Sequence, residues 1–120
     1  MASEKETFEA LRYYITMGKY GEKQYRNALG QLHREEGPAI IWADGDLEWW
    51  QNGQRHREDG PAVELSDGHR EWWQNDQRHR IDGPAIEWAN GGETWFLNDL
   101  VYGKADYLKA CKALHPQHDY

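Results

Sequence analysis

The sequence predicts a mainly β protein, an antiparallel β-hairpin repeat meander with a 23-residue period, closed by an N-terminal and a C-terminal capping helix. Three observations predict it. A 23-residue unit recurs over 32–54, 55–77 and 78–100, marked by Gly37-Pro38-Ala39, Gly60-Pro61-Ala62 and Gly83-Pro84-Ala85. A His-Arg pair precedes each glycine at His33-Arg34, His56-Arg57 and His79-Arg80, and a tryptophan recurs at Trp49, Trp72 and Trp95. Within each unit Asp44-Gly45, Asp67-Gly68 or Asn90-Gly91 separates two short runs rich in branched and aromatic residues, which is the local signature of a hairpin. A period of this length means that each unit buries its apolar face against its neighbours. Function in such a stack is expected on a surface and not in a deep pocket.

The elements follow in order. Ser3-Glu4-Lys5-Glu6 forms a capping box, and Phe8, Leu11, Tyr14 and Ile15 continue at helical spacing, so an amphipathic helix is expected over 3–16. Gly18 and Gly21 punctuate its exit. A degenerate unit over 21–31 has Tyr25 where later copies have Trp49 and Trp72. Two-residue turns at the Asp-Gly and Asn-Gly pairs set the register by counting outward: Ile40 faces Trp49, Val63 faces Trp72 and Ile86 faces Trp95 on one side. On the other side Ala39 faces Trp50, Ala62 faces Trp73 and Ala85 faces Phe96. Asn52-Gly53 offers a second tight turn in the longer connection. The chain closes with a helix over 104–115 that presents Tyr107, Leu108, Cys111 and Leu114 on one side and stops before Pro116. Both helices read as covers for the open edges of the stack.

Composition narrows the function classes. At 120 residues the chain is read as one domain, 1–120. Aromatic residues make up 13%, with seven Trp, while the mean hydropathy is −1.06; that mix suits a thin structure with a narrow aromatic core. The single cysteine, Cys111, excludes an internal disulfide framework, and no apolar stretch follows the first charges, so a cytoplasmic protein is expected. No run approaches the ~18 apolar residues of a membrane span. Between residues 31 and 100 fifteen acidic residues face six arginines and no lysine, a net of −9, whereas the flanks carry a net of +2. Such a body repels nucleic-acid phosphates and anionic lipid. It suits a protein partner with a basic surface, or imitation of a nucleic acid in front of a protein that binds one.

The face with Ile40, Val63, Ile86, Trp42, Leu47, Leu65 and Trp88 is the more apolar and is expected to be the core. The opposite face is expected to carry Trp50, Trp73 and Phe96 beside Glu48, Glu64, Glu71 and Glu87, with Glu64 directly opposite Glu71. Like charges facing in a ladder are unfavourable unless a cation comes between them. A neighbouring arginine or water relieving the pair is the structural reading. An aromatic and acidic strip that docks a partner's Lys or Arg is the functional one, and those seven residues are the candidate contacts. The His-Arg column is expected to hold the scaffold, with Arg34, Arg57 and Arg80 clamping carbonyls or Glu36, Asp59 and Asp82, and each His packing on a Trp or capping a loop. A shared metal does not fit, because successive His lie two strands or ~9.5 Å apart while Zn²⁺ ligands lie ~2.0–2.1 Å from the metal. No nucleophile stands with a His and acid independent of the repeat, and no phosphate-cradling loop is present, so no catalytic residue and no cofactor are assigned.

The pattern Trp-x-x-Asn-Gly-x-x-His-Arg-x-Asp-Gly-Pro-Ala, read from Trp49 to Ala62 and, with Asp76 for the Gly, from Trp72 to Ala85, resembles the bacterial and viral variant of the MORN repeat, an antitoxin-type repeat, over about residues 21–102. The resemblance implies a meander of stacked hairpins acting as a non-enzymatic interaction module. A chain this small, with no second domain to deliver an activity, is expected to inhibit or neutralise the macromolecule that it binds: as an antitoxin or immunity protein, which the resemblance suggests, or as a phage-encoded inhibitor of a bacterial defence system such as a nuclease complex. The membrane binding of some MORN proteins does not suit the acidic body. A glycan- or nucleotide-binding β-repeat protein and a homo-oligomeric structural protein, including a homodimer, are the alternatives.

Overall fold

A computed structural model describes residues 13–114. In chain order the elements are β1 (Tyr13–Met17), β2 (Lys23–Asn27), β3 (Ile40–Ile41), β4 (Leu47–Glu48), β5 (Trp50–Gln51), β6 (Gln54–Arg55) and β7 (Val63–Glu64). There follow β8 (Arg70–Glu71), β9 (Trp73–Gln74), β10 (Gln77–Arg78), β11 (Ile86–Glu87), β12 (Glu93–Leu97), β13 (Leu100–Tyr102) and the C-terminal helix α1 (Lys104–Leu114). One meander-like sheet runs β1-β2-β3-β4-β7-β8-β11-β12-β13, and β5-β6 and β9-β10 form two small hairpins beside it. Neighbouring strands pair antiparallel throughout. The radius of gyration, 16.8 Å, exceeds the ~14 Å of a compact chain of this length, so the molecule is long and thin.

The expected N-terminal helix lies mostly outside the described residues, and its last part is corrected. Residues 13–16 belong to β1, with Tyr13 opposite Asn27 and Ile15 opposite Tyr25. Tyr-Tyr-Ile-Thr is β-branched and aromatic, and pairing with β2 satisfies its backbone where a helix there would leave the sheet edge bare.

The hairpin register also differs from the expectation by one residue. Ile40 pairs with Glu48 and Ile41 with Leu47; Val63 pairs with Glu71 and Glu64 with Arg70; Ile86 pairs with Thr94. The cause is in the turns. Gly45, Gly68 and Gly91 have φ of 97°, 98° and 91°, while Asp44, Asp67 and Asn90 are absent from the positive-φ residues. One residue with positive φ, and not two, makes a three-residue loop of type I turn plus bulge. The closing bonds agree: Leu65 N donates to His69 O at 2.9 Å and Gly68 N to Leu65 O at 3.0 Å. The carboxylates of Asp44 and Asp67 accept from the N–H two residues on. The true two-residue turns are in the connections, at Asn52-Gly53, Asn75-Asp76 and Asn98-Asp99, where both residues have positive φ.

That single-residue slip redistributes the faces. Glu48, Trp50, Glu71 and Trp73 share a face with Ile40 and Val63, and Glu64 faces Arg70 in place of Glu71. Buried apolar residues are few: Ala39, Ala62 and Ala85 at 0% exposure, Ile40, Val63, Ile86, Trp73, Leu97, Tyr107 and Cys111. At the C-terminal end Leu97, Tyr107 and Cys111 form one cluster with Ile81, Trp95, Tyr102 and Leu108 packed around it. The helix expected over 104–115 is thus present as α1 and packs on β12 and β13.

A Cβ at Gly68 would meet nothing within 4 Å, so any cost of Gly68→Ala is purely conformational. Urea titration is expected to show a loss of about 1–2 kcal/mol; an unchanged midpoint would mean that the three-residue loop is not the turn in use.

Candidate functional site

The arginines are turned inward. Arg57 stacks on Trp49 with its guanidinium carbon 3.9 Å from the ring centroid, Arg80 on Trp72 at 3.7 Å and Arg34 on Tyr25 at 3.9 Å. Each lies on the ring of the unit before its own. The opposite face of each guanidinium meets the glycine of Gly-Pro-Ala, where a Cβ would lie 3.4 Å from Arg34 Cζ, 3.0 Å from Arg57 Cζ and 2.7 Å from Arg80 Cζ. A side chain at Gly60 or Gly83 would push the arginine off its stacked position, whereas at Gly37 it would only touch it. In-plane donors are also used: Nη1 of Arg57 and Arg80 donates to Pro61 O and Pro84 O at 3.0 Å, and their Nε to Asp59 and Asp82 at 2.9 Å. The expected clamp is seen at both positions; at the first, Arg34 Nη1 reaches Pro38 O at 3.3 Å, while Tyr13 Oη donates to Glu36.

The histidines cap loops. Nδ1 of His33, His56 and His79 accepts the N–H of Asn52, Asn75 and Asn98, each at 3.0 Å. Each tight turn is thereby tied to the histidine at the start of its own unit. A ring nitrogen that accepts a backbone bond is unavailable to a metal, and no group of His, Cys, Asp and Glu suited to a metal ion occurs among the described residues.

Trp50, Trp73 and Phe96 do come together, but with cations between them. Arg55 lies 5.0 Å from Trp50 and 5.1 Å from Trp73, and Arg78 lies 4.6 Å from Trp73 and 5.6 Å from Phe96. Trp73 is 8% exposed, so it is a core residue and not an outward anchor. Glu48 accepts from Trp42 Nε1 at 2.7 Å and Trp50 Nε1 at 3.1 Å, with Arg55 at 3.4 Å. Glu71 accepts from Trp73 Nε1 at 2.9 Å and lies 2.7 Å from His69 Nε2 and 3.7 Å from Arg78 Nε. Their side chains are 13% and 18% exposed, which leaves little for a partner to contact. Glu64 and Glu87 are separate from this strip and lie 3.6 Å and 3.2 Å from Arg57 and Arg80. The one-residue slip is the physical reason that the strip became an internal ladder.

What remains outside is acid. Over 31–100 ten of the fifteen acidic residues are exposed, against one of six arginines, Arg70. Two grooves lie between successive connections. The first, about 680 Å³, is lined by Glu35, Glu36, Pro38, Trp49, Gln51, His56 and Glu58; the second, about 620 Å³, by Glu58, Asp59, Trp72, Gln74, His79 and Ile81. Glu58, on the ridge they share, has its side chain 82% exposed. Sequence reasoning did not single out these rims as contacts, although the Glu-Glu and Glu-Asp dipeptides ahead of the first two Gly-Pro pairs were the available signal. The corresponding place beside Trp95 is filled by α1: Tyr107 packs on that ring at 4.8 Å, and Lys104 lies 5.6 Å from it.

Comparison of the chain with protein-family models, with curated proteins and with solved structures finds no match. Among the described residues no helix is long and apolar enough to cross a membrane.

Two outcomes test the ladder. Trp73→Ala is expected to cost about 3–5 kcal/mol and to lower the thermal midpoint steeply, where an outward anchor would leave it in place. Arg57→Lys keeps the charge but loses the planar stack and the fork, and is expected to cost about 1–2 kcal/mol in chemical denaturation; a change within about 0.5 kcal/mol would show that the stack contributes no more than an ordinary surface pair.

Proposed function

We propose that this chain is a non-enzymatic protein-binding module of MORN-like hairpin repeats, with a 23-residue period, that inhibits or neutralises a macromolecular partner carrying a basic surface. The observation that carries the reading is the segregation of charge. Arginines are spent on aromatic rings and carbonyls inside the stack, and carboxylates are left in water outside it. A surface of one sign steers an oppositely charged partner and rejects phosphate-bearing ones. The contacts in this reading are the exposed acids of the connections, Glu35, Glu58 and their neighbours, in place of Trp73, Glu48 and Glu71, which the scaffold uses.

Support for the repeat comes from contacts that recur with the sequence unit: the histidine-to-asparagine caps and the arginine stacks. An antitoxin, an immunity protein and a phage-encoded inhibitor that imitates nucleic acid are the settings that fit a small acidic chain with no assigned catalytic group. The reading includes a cytoplasmic site of action.

The test is affinity capture from bacterial lysate with mass spectrometry, comparing the natural chain with Glu35→Lys/Glu58→Lys. The double variant is expected to keep its circular dichroism and to lose partners that the natural chain retains at low salt. Equal capture by both would remove the acidic surface as the contact.

A further inference from the structure

Helix α1 displays what a groove of this kind accepts. Tyr107 packs beside Trp95 with ring centroids 4.8 Å apart, and Lys104, three residues earlier, lies 5.6 Å from the same ring. The Tyr107 hydroxyl donates to Arg80 O and accepts the N–H of Gly83 at 3.3 Å. Both groups belong to the His-Arg-x-x-Gly-Pro segment, and that segment recurs in each open groove. Neither Gly37 N–H nor Gly60 N–H has a partner among the described residues. Among the described residues Arg34 O and Arg57 O accept the Gln51 and Gln74 side-chain amides, at 3.0 Å and 3.1 Å, and a carbonyl oxygen can accept a second bond.

We propose that the two open grooves are receptors for a tyrosine borne on an amphipathic helix of a partner protein, with a lysine three residues before it, in the arrangement that α1 presents to Trp95. This deepens the protein-binding reading and rests on it. A phenol supplies flat apolar area for the tryptophan floor and a hydroxyl for the glycine N–H and the arginine carbonyl, the combination that makes tyrosine an anchor at interfaces. The acidic rim at Glu35 and Glu58 supplies the complement for the lysine. Gln51 and Gln74 stand where the occupied site has Leu97, so the open grooves are wetter than the closed one, as suits a partner that comes and goes.

The experiment uses the full chain and, as probe, residues 104–114 with blocked ends and Ala105→Glu, held helical by a side-chain lactam from that exposed glutamate to the exposed Lys109. Tryptophan indole resonances are followed by NMR. Saturable shifts of Trp49 and Trp72, weakened by about tenfold or more in a Tyr107→Ala probe and reduced in a Glu58→Lys chain of unchanged circular dichroism, are expected. Three results would overturn the proposal: Trp49 and Trp72 unmoved at millimolar probe, equal titration by the Tyr107→Ala probe, or movement confined to Trp95 by exchange with α1. If the lysate partner is still captured through Glu58 while the probe leaves both rings unmoved, the helix-and-tyrosine inference fails and the acidic-surface reading stands. Capture that ignores Glu58 sinks the broader reading instead.

Discussion

Every unit depends on an arginine held flat between an aromatic ring and a glycine. At Arg57 and Arg80 stacking satisfies the faces of the guanidinium, a proline carbonyl and a carboxylate satisfy its edge, and the missing Cβ of the glycine makes room for it. Arg34 stacks and reaches its proline carbonyl with Nε unpartnered among the described residues. A guanidinium over a ring contributes on the order of 0.5–2 kcal/mol when partly desolvated, and here it also covers apolar area that branched side chains cover elsewhere. That explains how a chain so hydrophilic holds a fold with so few large buried side chains. The motif His-Arg-x-x-Gly-Pro-Ala is one packing unit: the histidine caps the next turn, the arginine fills the layer, the glycine admits it and the alanine sits where nothing larger fits.

The same interaction shapes the surface. Over 31–100 five of the six arginines are turned inward while ten of the fifteen carboxylates are exposed, and the acidic exterior is a by-product of how the interior is stacked. The scaffold also consumes the residues most tempting as binding anchors. Trp50, Trp73 and Phe96 alternate with Arg55 and Arg78, and Glu48 and Glu71 hold indole N–H groups. What stays accessible is rims and grooves, and the C-terminal helix closes one such place with its own tyrosine.

Much of this was legible in the residues. The clamp of Arg57 and Arg80 on Asp59 and Asp82, the tight turn at Asn52-Gly53 and the C-terminal helix follow from local chemistry that travels with a short motif. The loop-capping histidines, whose bonds span 19 residues, follow from their recurrence in every unit. The hairpin register did not. Asp-Gly suits a two-residue turn and a three-residue loop alike, and the choice depends on whether the aspartate adopts positive φ, which the neighbouring strands decide. One residue of slip moved Glu71 from facing Glu64 to facing Val63 and carried Trp73 from the expected outer face into the core. At 13–16 a helical spacing of apolar residues lost to strand pairing with β2, because an open sheet edge offers hydrogen bonds that a local period cannot register.

Taken alone, the amino-acid order determined that this is a β-rich chain of hairpins, that its middle is acidic, and that its His-Arg and Gly-Pro-Ala positions hold the scaffold, since all of these are set by composition and by bonds between residues close in the chain. Which face is buried, which carboxylates remain free and where grooves open were decided only in three dimensions. Those outcomes turn on the parity of strand pairing and on arginines reaching the ring of the preceding unit, contacts some eight or more residues apart whose geometry no short window of sequence contains.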